Sequence, residues 1–351
     1  MATASVRLTA SLLGVVRLAG ARGAALVGHV PGGVVWSVRR VDGRFDTWLV
    51  RPSLELTPLL SRTVAPVSAL VTLPGGELAL AVGARIVVFD HPSLTARRAL
   101  RGHRRGGVIW ALTPVSGDRL VSRSTDLTVV LWDLTKGRAL QRLDAGACQG
   151  AEVGADPEDP EAVLLLTQPD AEDPGVLTLV DLHRGGRPRP PLRVGFDLAA
   201  CAAALRPGGL ELLTACTPRG GPTTTLSLWS RGEERRLCAT PTRRAGVAAL
   251  NEVLFPSADH GLALGARDSA LVELGTGAIH HELRAYRVTS RGLALVDEAE
   301  VVDLRTAARL VFPSGALRAP RALGASSLAE DGASFALGAG DELVWWTIQR
   351  G

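Results

Sequence analysis

The sequence predicts an all-β protein assembled from repeated four-stranded units. Three observations carry that expectation. Apolar runs are short, four to eight residues, rich in Val and Leu, and separated by clusters of Gly, Pro, Asp and Arg, with no long stretch of helical period. An order of apolar run, Pro-Gly turn, apolar run, short turn and apolar run ends at Phe89 and Asp90 in "VSALVTLPGGELALAVGARIVVFD". It returns in "WALTPVSGDRLVSRSTDLTVVLWD", which ends at Trp132 and Asp133, an offset of 43 residues. One more strand follows each marker, as "RALQRL" follows Asp133. Four-stranded units at a period of about 40–50 residues are the blades of a β-propeller.

Taken in order, "LLGVVRL", "AALVGHV", "VVWSVRR" and "DTWLVRP" make a first four-strand set. The two clear copies ending at Asp90 and Asp133 follow. Weaker copies are "PEDPEAVLLLTQPDAEDPGVLTLVD", ending at Asp181, and "CAAALRPGGLELLTACTPRGGPTTTLSLWS", ending at Ser230. "VAALNEVLFPSADHGLALGARDSALVELGTG" ends its third strand near Glu273, and "LGASSLAEDGASFALGAGDELVWWT" ends at Thr347. Between these last two, "RVTSRGLALVDEAEVVDLRTAARLVF" is shorter than the other units and reads as a compact blade or an inserted hairpin. Seven blades is the expected count, with eight the near alternative, in a single domain spanning residues 1–351. After "DELVWWTIQRG" there is no outer strand, so the N-terminal "ASVRL" is expected to complete the last blade and remove an exposed edge. Within "DELVWWTIQRG", Trp345 and Trp346 point to opposite sides of a strand, so one is expected in the core and the other at the surface.

The segment from Gly102 to Gly137, "GHRRGGVIWALTPVSGDRLVSRSTDLTVVLWDLTKG", resembles a repeat of the WD-repeat propeller family. It carries Gly102-His103, the Asp126 turn and Trp132-Asp133 at the family's spacing, whereas the other units match in strand grammar alone. The resemblance implies a buried hydrogen-bonded chain of His103, Ser124 (with Ser122 as the alternative), Asp126 and Trp132. Its physical sense is that a buried carboxylate, imidazole and indole N–H each need partners. A Ser, His and Asp reading as a catalytic triad yields to this structural one, because the spacing fits the network.

The 39 basic residues contain one lysine, Lys136, so the arginine excess reflects residue bias as much as chemistry. The net charge of +4 permits acidic partners without demanding them, and aromatic residues, at 4%, are not interleaved with the basic loops as a single-strand nucleic-acid platform would require. Apolar runs are broken well before the length of a membrane span, so no membrane association is expected. The acid-poor start of the chain reads as strands with Gly-rich breaks rather than as a leader. Cys148, Cys201, Cys216 and Cys238 lie far apart with no CxxC, which argues against a metal site and reads as free thiols in the cytoplasm. The acidic stretch from Asp156 to Asp173 is split by the strand "AVLLL", too far for one coordination shell, and His280-His281 lacks metallopeptidase spacing.

The family arrangement implies that the loop leading into each blade and the turn between its second and third strands share one face. "RGHRRGGV" and "TPTRRAGV" then place Arg104, Arg105, Arg243 and Arg244 together, with Arg123 near the rim and Arg318 and Arg321 ahead of the last blade. Guanidinium groups so arranged suit carboxylate or phosphate groups. No cofactor is implied and no coherent catalytic set is present. The expected function is a non-catalytic protein-interaction scaffold or assembly subunit with one or more protein partners, in a bacterial cytoplasm. The alternatives are an arginine-face binder of nucleic acid or phosphorylated partners in a bacterial defence or signalling system, and an enzyme or ligand binder at a central channel.

Overall fold

The computed structural model describes residues 8–350 other than 91–92, 116–117, 145–152, 157, 167–173, 207–208, 222, 231, 242–251, 258, 265–268, 282–284, 290–292, 297–299, 305–307, 312–325 and 340. Leu8–Arg17 (β1) precedes blade 1, which is Ala21–Val30 (β2), Gly33–Arg40 (β3), Phe45–Val50 (β4) and Leu56–Thr63 (β5). Blade 2 is Val67–Thr72 (β6), Leu78–Val82 (β7), Arg85–Phe89 (β8) and Ala96–Arg101 (β9). Blade 3 is Ile109–Val115 (β10), Arg119–Ser124 (β11), Thr128–Asp133 (β12) and Arg138–Asp144 (β13). Blade 4 is Val153–Asp156 (β14), Asp159–Leu166 (β15), Leu179–Asp181 (β17) and Arg187–Pro188 (β18), with a ribbon of Val176–Leu177 (β16) and Leu192–Arg193 (β19). Blade 5 is Leu198–Leu205 (β20), Leu212–Pro218 (β21), Thr223–Ser230 (β22) and Glu233–Pro241 (β23). Blade 6 is Glu252–Ser257 (β24), His260–Leu264 (β25), Ser269–Glu273 (β26) and Ile279–His281 (β27). Blade 7 is Ala285–Val288 (β28), Leu293–Val296 (β29), Glu300–Asp303 (β30) and Arg309–Val311 (β31). Blade 8 is Ser326–Leu328 (β32), Ser334–Ala339 (β33) and Glu342–Arg350 (β34), with β1 as its outer strand.

The fold class is therefore the expected one: all-β, in four-stranded antiparallel blades of the β-propeller type, with no helix among the described residues. The described residues form eight such sheets, so the count is the alternative of eight rather than the expected seven. The reason lies in blade 7, where short strands of three and four residues still give a full four-stranded sheet instead of an inserted hairpin.

The N-terminal strand does complete the last blade, with Leu8 of "ASVRL" paired and the strand running on to Arg17, while residues 4–7 lie outside the described residues. Leu8 to Arg17 pairs antiparallel with Arg350 to Glu342, bulging between Leu12 and Gly14, so "LLGVVRL" belongs to blade 8 and not to the first set. Blade 1 takes Leu56–Thr63 as its outer strand instead. Turn chemistry explains other boundaries. In blade 2 the Gly76 N–H donates to the Leu73 carbonyl at 2.8 Å, with Pro74 and Gly75 between and Gly76 at φ +86°, a conformation glycine adopts without steric cost.

The chain divides into two compact units. The first, Met1–Leu112, Ser124–Asp126 and Tyr286–Gly351, holds blades 1, 2, 7 and 8 with the loop and turn that open blade 3. Its core runs in layers between consecutive blades. Val34, Trp36, Val38 and Val50 of blade 1 pack with Ala336, Leu343 and Trp345 of blade 8, while Phe335, Leu337, Val344 and Trp346 pack with Leu293, Leu295 and Val301 of blade 7. Trp345 and Trp346 are 5% and 6% exposed, which corrects the expectation that one would lie at the surface: a blade between two neighbours has no free face. His29 on β2 ties blade 1 to blade 8, with Nδ1 3.0 Å from Ser327 Oγ and Nε2 3.0 Å from Ser334 Oγ.

The second unit, Thr113–Arg123 and Leu127–Ala285, holds the rest of blade 3 and blades 4 to 6. Alternate residues of β15 divide between two layers: Val163 and Leu165 face Val121, Val129 and Leu131 of blade 3, and Ala162, Leu164 and Leu166 face Leu205, Leu212 and Trp229 of blade 5. Buried residues on both faces of one strand are what a sheet covered on both sides requires.

Because β1 covers the edge of β34, a chain lacking residues 1–17 should unfold at lower urea and self-associate through the uncovered strand. Urea midpoints and light scattering check this; an unchanged midpoint with monomeric protein would contradict the pairing.

Candidate functional site

The strongest motif folds around one carboxylate. Between β9 and β10 the chain turns through Arg104 to Gly107, closed by the Gly107 N–H on the Arg104 carbonyl at 3.1 Å. Asp126 lies beneath. Its Oδ2 accepts the Arg104 backbone N–H at 2.6 Å and its Oδ1 is 3.4 Å from His103 Nδ1, with both side chains buried. Ser124 Oγ accepts the Asp126 N–H at 3.3 Å. The loop is sealed on its far side by Thr125, whose N–H donates to the Val108 carbonyl at 2.9 Å while its Oγ1 accepts the Val108 N–H at 2.9 Å. A Cβ on Gly107 would lie 2.8 Å from Ser124 Oγ and 3.0 Å from Asp126 Cβ, so only glycine allows the loop to come this close.

In the other unit, Trp132 is buried and its Nε1 donates to Ser122 Oγ at 2.8 Å. The indole's acceptor is thus Ser122, the alternative named above, and not Ser124. Register gives the cause: Trp132 stands opposite Leu120, so Ser122 is the diagonal neighbour on the same face, while Ser124 is a further two residues away. Blade 5 repeats the arrangement. Trp229 stands opposite Leu212 and donates to Thr214 Oγ1 at 2.9 Å. Among the described residues the indole N–H groups of Trp36, Trp48 and Trp345 meet no acceptor, unlike those of Trp132 and Trp229.

Arg104 and Arg105 are exposed on the loop that Asp126 holds, and Arg123 is half-buried on β11. Arg243, Arg244, Arg318 and Arg321 lie outside the described residues. Val108 and Trp110, 37% and 39% exposed, follow the two exposed arginines along the same loop and strand. Sequence reasoning passed over a further cluster in blade 1, where Arg22, Arg39, Arg40 and Phe45 line a cavity of about 480 Å³. These residues sit at the start of β2, the end of β3 and the start of β4, the same topological end as Arg104 and Asp126 in blade 3. Two bulges in β2, between Ala21 and Gly23 and between Ala24 and Leu26, open that end, and the Gly-Ala stretch there was the only trace in the sequence. Arg40 is committed to Asp46 at 3.2 Å.

The acidic stretch is taken up by internal pairing. Asp156 meets Arg189 at 2.6 Å and Asp159 meets Arg184 at 2.7 Å, and residues 167–173 lie outside the described residues. Burial raises the Asp156 carboxyl, but the Arg189 guanidinium and the Glu158 N–H outweigh it and hold the group below the usual carboxylate range. Among the described residues no cluster of His, Cys, Asp and Glu could hold a metal ion. Ser257 Oγ is 2.9 Å from His260 Nδ1, but the same oxygen accepts the Asp259 N–H within one tight turn, an arrangement that closes the turn.

No family model matches the chain. A stretch of 67 residues is 40% identical to guanine nucleotide-binding protein subunit beta-like protein 1 of Mus musculus, covering 17% of this chain and 21% of that protein. The chain thus matches about a fifth of the length of that relative. The blades and this local similarity together describe a WD-repeat-like propeller.

Two outcomes follow. Asp126→Ala removes the carboxylate that accepts the Arg104 N–H and should cost about 1.5–3 kcal/mol, and Trp132→Ala about 3–5 kcal/mol, both read as shifts of the urea midpoint; midpoints equal to wild type would remove Asp126 and Trp132 from the framework. Since the folded state depresses the Asp156 carboxyl, the stability it contributes is fully present above its unfolded value of about 4 and is lost as pH falls from there through its lower folded value. Arg189→Ala should therefore lower the melting temperature at pH 7 by about 2–4 °C, with the deficit closing towards pH 3; a deficit independent of pH would rule out the pair as its source.

Proposed function

We propose that this WD-repeat-like propeller is a non-catalytic interaction scaffold that binds a protein partner through the loop end of its blades. The observation that supports the reading most is the Asp126 anchor. It spends a buried carboxylate on fixing the backbone of a loop whose outward residues, Arg104 and Arg105, are exposed and lead directly into the exposed Val108 and Trp110. Arginine beside a partly exposed tryptophan is the composition that concentrates binding energy in protein interfaces. The arginine cavity of blade 1 lies at the corresponding end of its own sheet and favours acidic side chains on the partner. The bacterial and cytoplasmic setting belongs to this proposal, and Arg243, Arg244 and Arg321 lie outside the described residues.

Nucleic acid and phosphorylated ligands are the competing anionic partners, and salt separates them from a mixed apolar and charged protein interface. The test is affinity capture from the native cell with wild-type protein and with an Arg104→Ser, Arg105→Ser, Trp110→Ser variant, followed by binding to the purified partner. The expected result is one protein retained by wild type and bound at least about tenfold more weakly by the variant, with modest loss between low and moderate salt. Equal retention by both would place the interface elsewhere, and a nuclease-sensitive, steeply salt-dependent catch would replace the protein partner with nucleic acid.

A further inference from the structure

Cysteines that are dispersed in the sequence are brought together in blade 5. Cys201 on β20 stands directly opposite Cys216 on β21, and their sulfur atoms are 3.0 Å apart. We propose that this pair is a dithiol modification site that closes reversibly to a cross-strand disulfide by exchange with a small-molecule disulfide.

Geometry carries the proposal. Opposed residues of an antiparallel pair hold their Cβ atoms about 4.5–5.5 Å apart, which meets the upper edge of the roughly 3.5–4.5 Å a disulfide spans, and a bond length of about 2.05 Å needs the two sulfurs, 3.0 Å apart, to approach by about 1 Å. Both residues are half-buried and keep part of their surface in solvent. Their place in the blade is also distinctive. Trp229 and Thr214 occupy the register that Trp132 and Ser122 occupy in blade 3, and Cys216, two residues beyond Thr214, stands where blade 3 has Ser124. A thiol pair thus replaces a turn-closing hydroxyl. It lies beside the bulge between Leu198 and Ala200 and the turn through Pro218 and Gly221, next to the Asp197–Arg219 ion pair of 3.0 Å.

The chemistry is asymmetric. Through its hydrogen bond to the Cys216 sulfur, and through burial, the Cys201 thiol is pushed up, while the same hydrogen bond holds Cys216 down. Cys216 is therefore the first nucleophile. Its sulfur attacks one sulfur of the small disulfide, forming a mixed disulfide and releasing one thiolate. Cys201 then attacks the Cys216 sulfur, the mixed bond breaks and a second thiolate leaves. The two protons of the protein dithiol end on the two released thiols, so the protein is oxidised by two electrons and the small disulfide is reduced. Cys238, on β23, is pushed by burial to about 11 and has no sulfur partner among the described residues, which makes it the internal comparison.

The test uses the full chain incubated with oxidised glutathione, quenched by alkylation and mapped by peptide mass spectrometry. Expected is the loss of two alkylatable thiols in step, a peptide linked through Cys201 and Cys216, and full recovery with dithiothreitol. Cys201→Ser should stop at a glutathione adduct on Cys216, and Cys216→Ser should leave Cys201 free. A Cys148→Ser, Cys238→Ser variant should behave as wild type, and slowed hydrogen exchange in β20 and β21 of the oxidised wild-type protein reads the same event without any substitution. Folded protein that keeps both thiols alkylatable at every glutathione ratio, or a disulfide that recruits Cys148 or Cys238, overturns the proposal.

Discussion

Consecutive tryptophans on β34 bury opposite faces of one strand, Trp345 against blade 1 and Trp346 against blade 7. The rest of the architecture depends on this double burial. A sheet with one solvated face alternates apolar and polar residues, whereas a blade covered on both sides needs apolar residues at successive positions. The completely buried runs of β3, from Val34 to Val38 apart from Ser37, and of β7, from Leu78 to Val82, have that composition. Two polar residues in these layers are met by partners: Ser37 accepts from the Thr47 hydroxyl at 3.2 Å, and His29 spans two serines of the adjoining blade. Outer strands carry the opposite burden. They are half-covered, and β1 exposes Leu12 and Val15 while sealing the edge of β34.

That division explains how much was legible. Buried runs, Gly-rich breaks and the 43-residue offset between Asp90 and Asp133 mark the inner three strands of each blade, because two-sided burial writes itself into composition. Outer strands write little. β5, Leu56 to Thr63, is mostly half-exposed and contains Pro58, so its composition does not mark a strand, whereas "LLGVVRL", most of which belongs to β1, has the apolar run of a first strand. Blade 7 was obscured in the same way, since a strand of three residues such as β31 leaves no periodic signal. Two-sided burial also accounts for the second tryptophan of β34: reading alternate positions as core and solvent presumes a free face that no blade between neighbours possesses.

The site divides along a similar line. Residues fixed by spacing within one motif, His103, Asp126 and Trp132, could be named from the sequence. The choice between Ser122 and Ser124 could not, because both lie on one face of β11 and only the register with β12 decides which of them the indole reaches. Arg22 and Arg39 went unnoticed for a related reason: they converge through two bulges in β2, and a bulge changes pairing without changing residue type. The meeting of Cys201 and Cys216 is likewise a property of register, 15 residues apart in the chain and opposite each other in the sheet.

A scaffold needs surface residues whose backbone does not have to be ordered at the moment of binding, since ordering a loop subtracts directly from affinity. The Asp126 carboxylate performs that ordering in advance. By holding the Arg104 N–H at 2.6 Å and lying against His103, it fixes the path of the loop from beneath, and Thr125 fixes Val108 from the side. The exposed Arg104 and Arg105 are thus carried on a backbone that needs no further ordering. The buried polar atoms of this blade therefore do two jobs with one set of hydrogen bonds: they satisfy one another inside the sheet, and they present guanidinium groups on a backbone already in place.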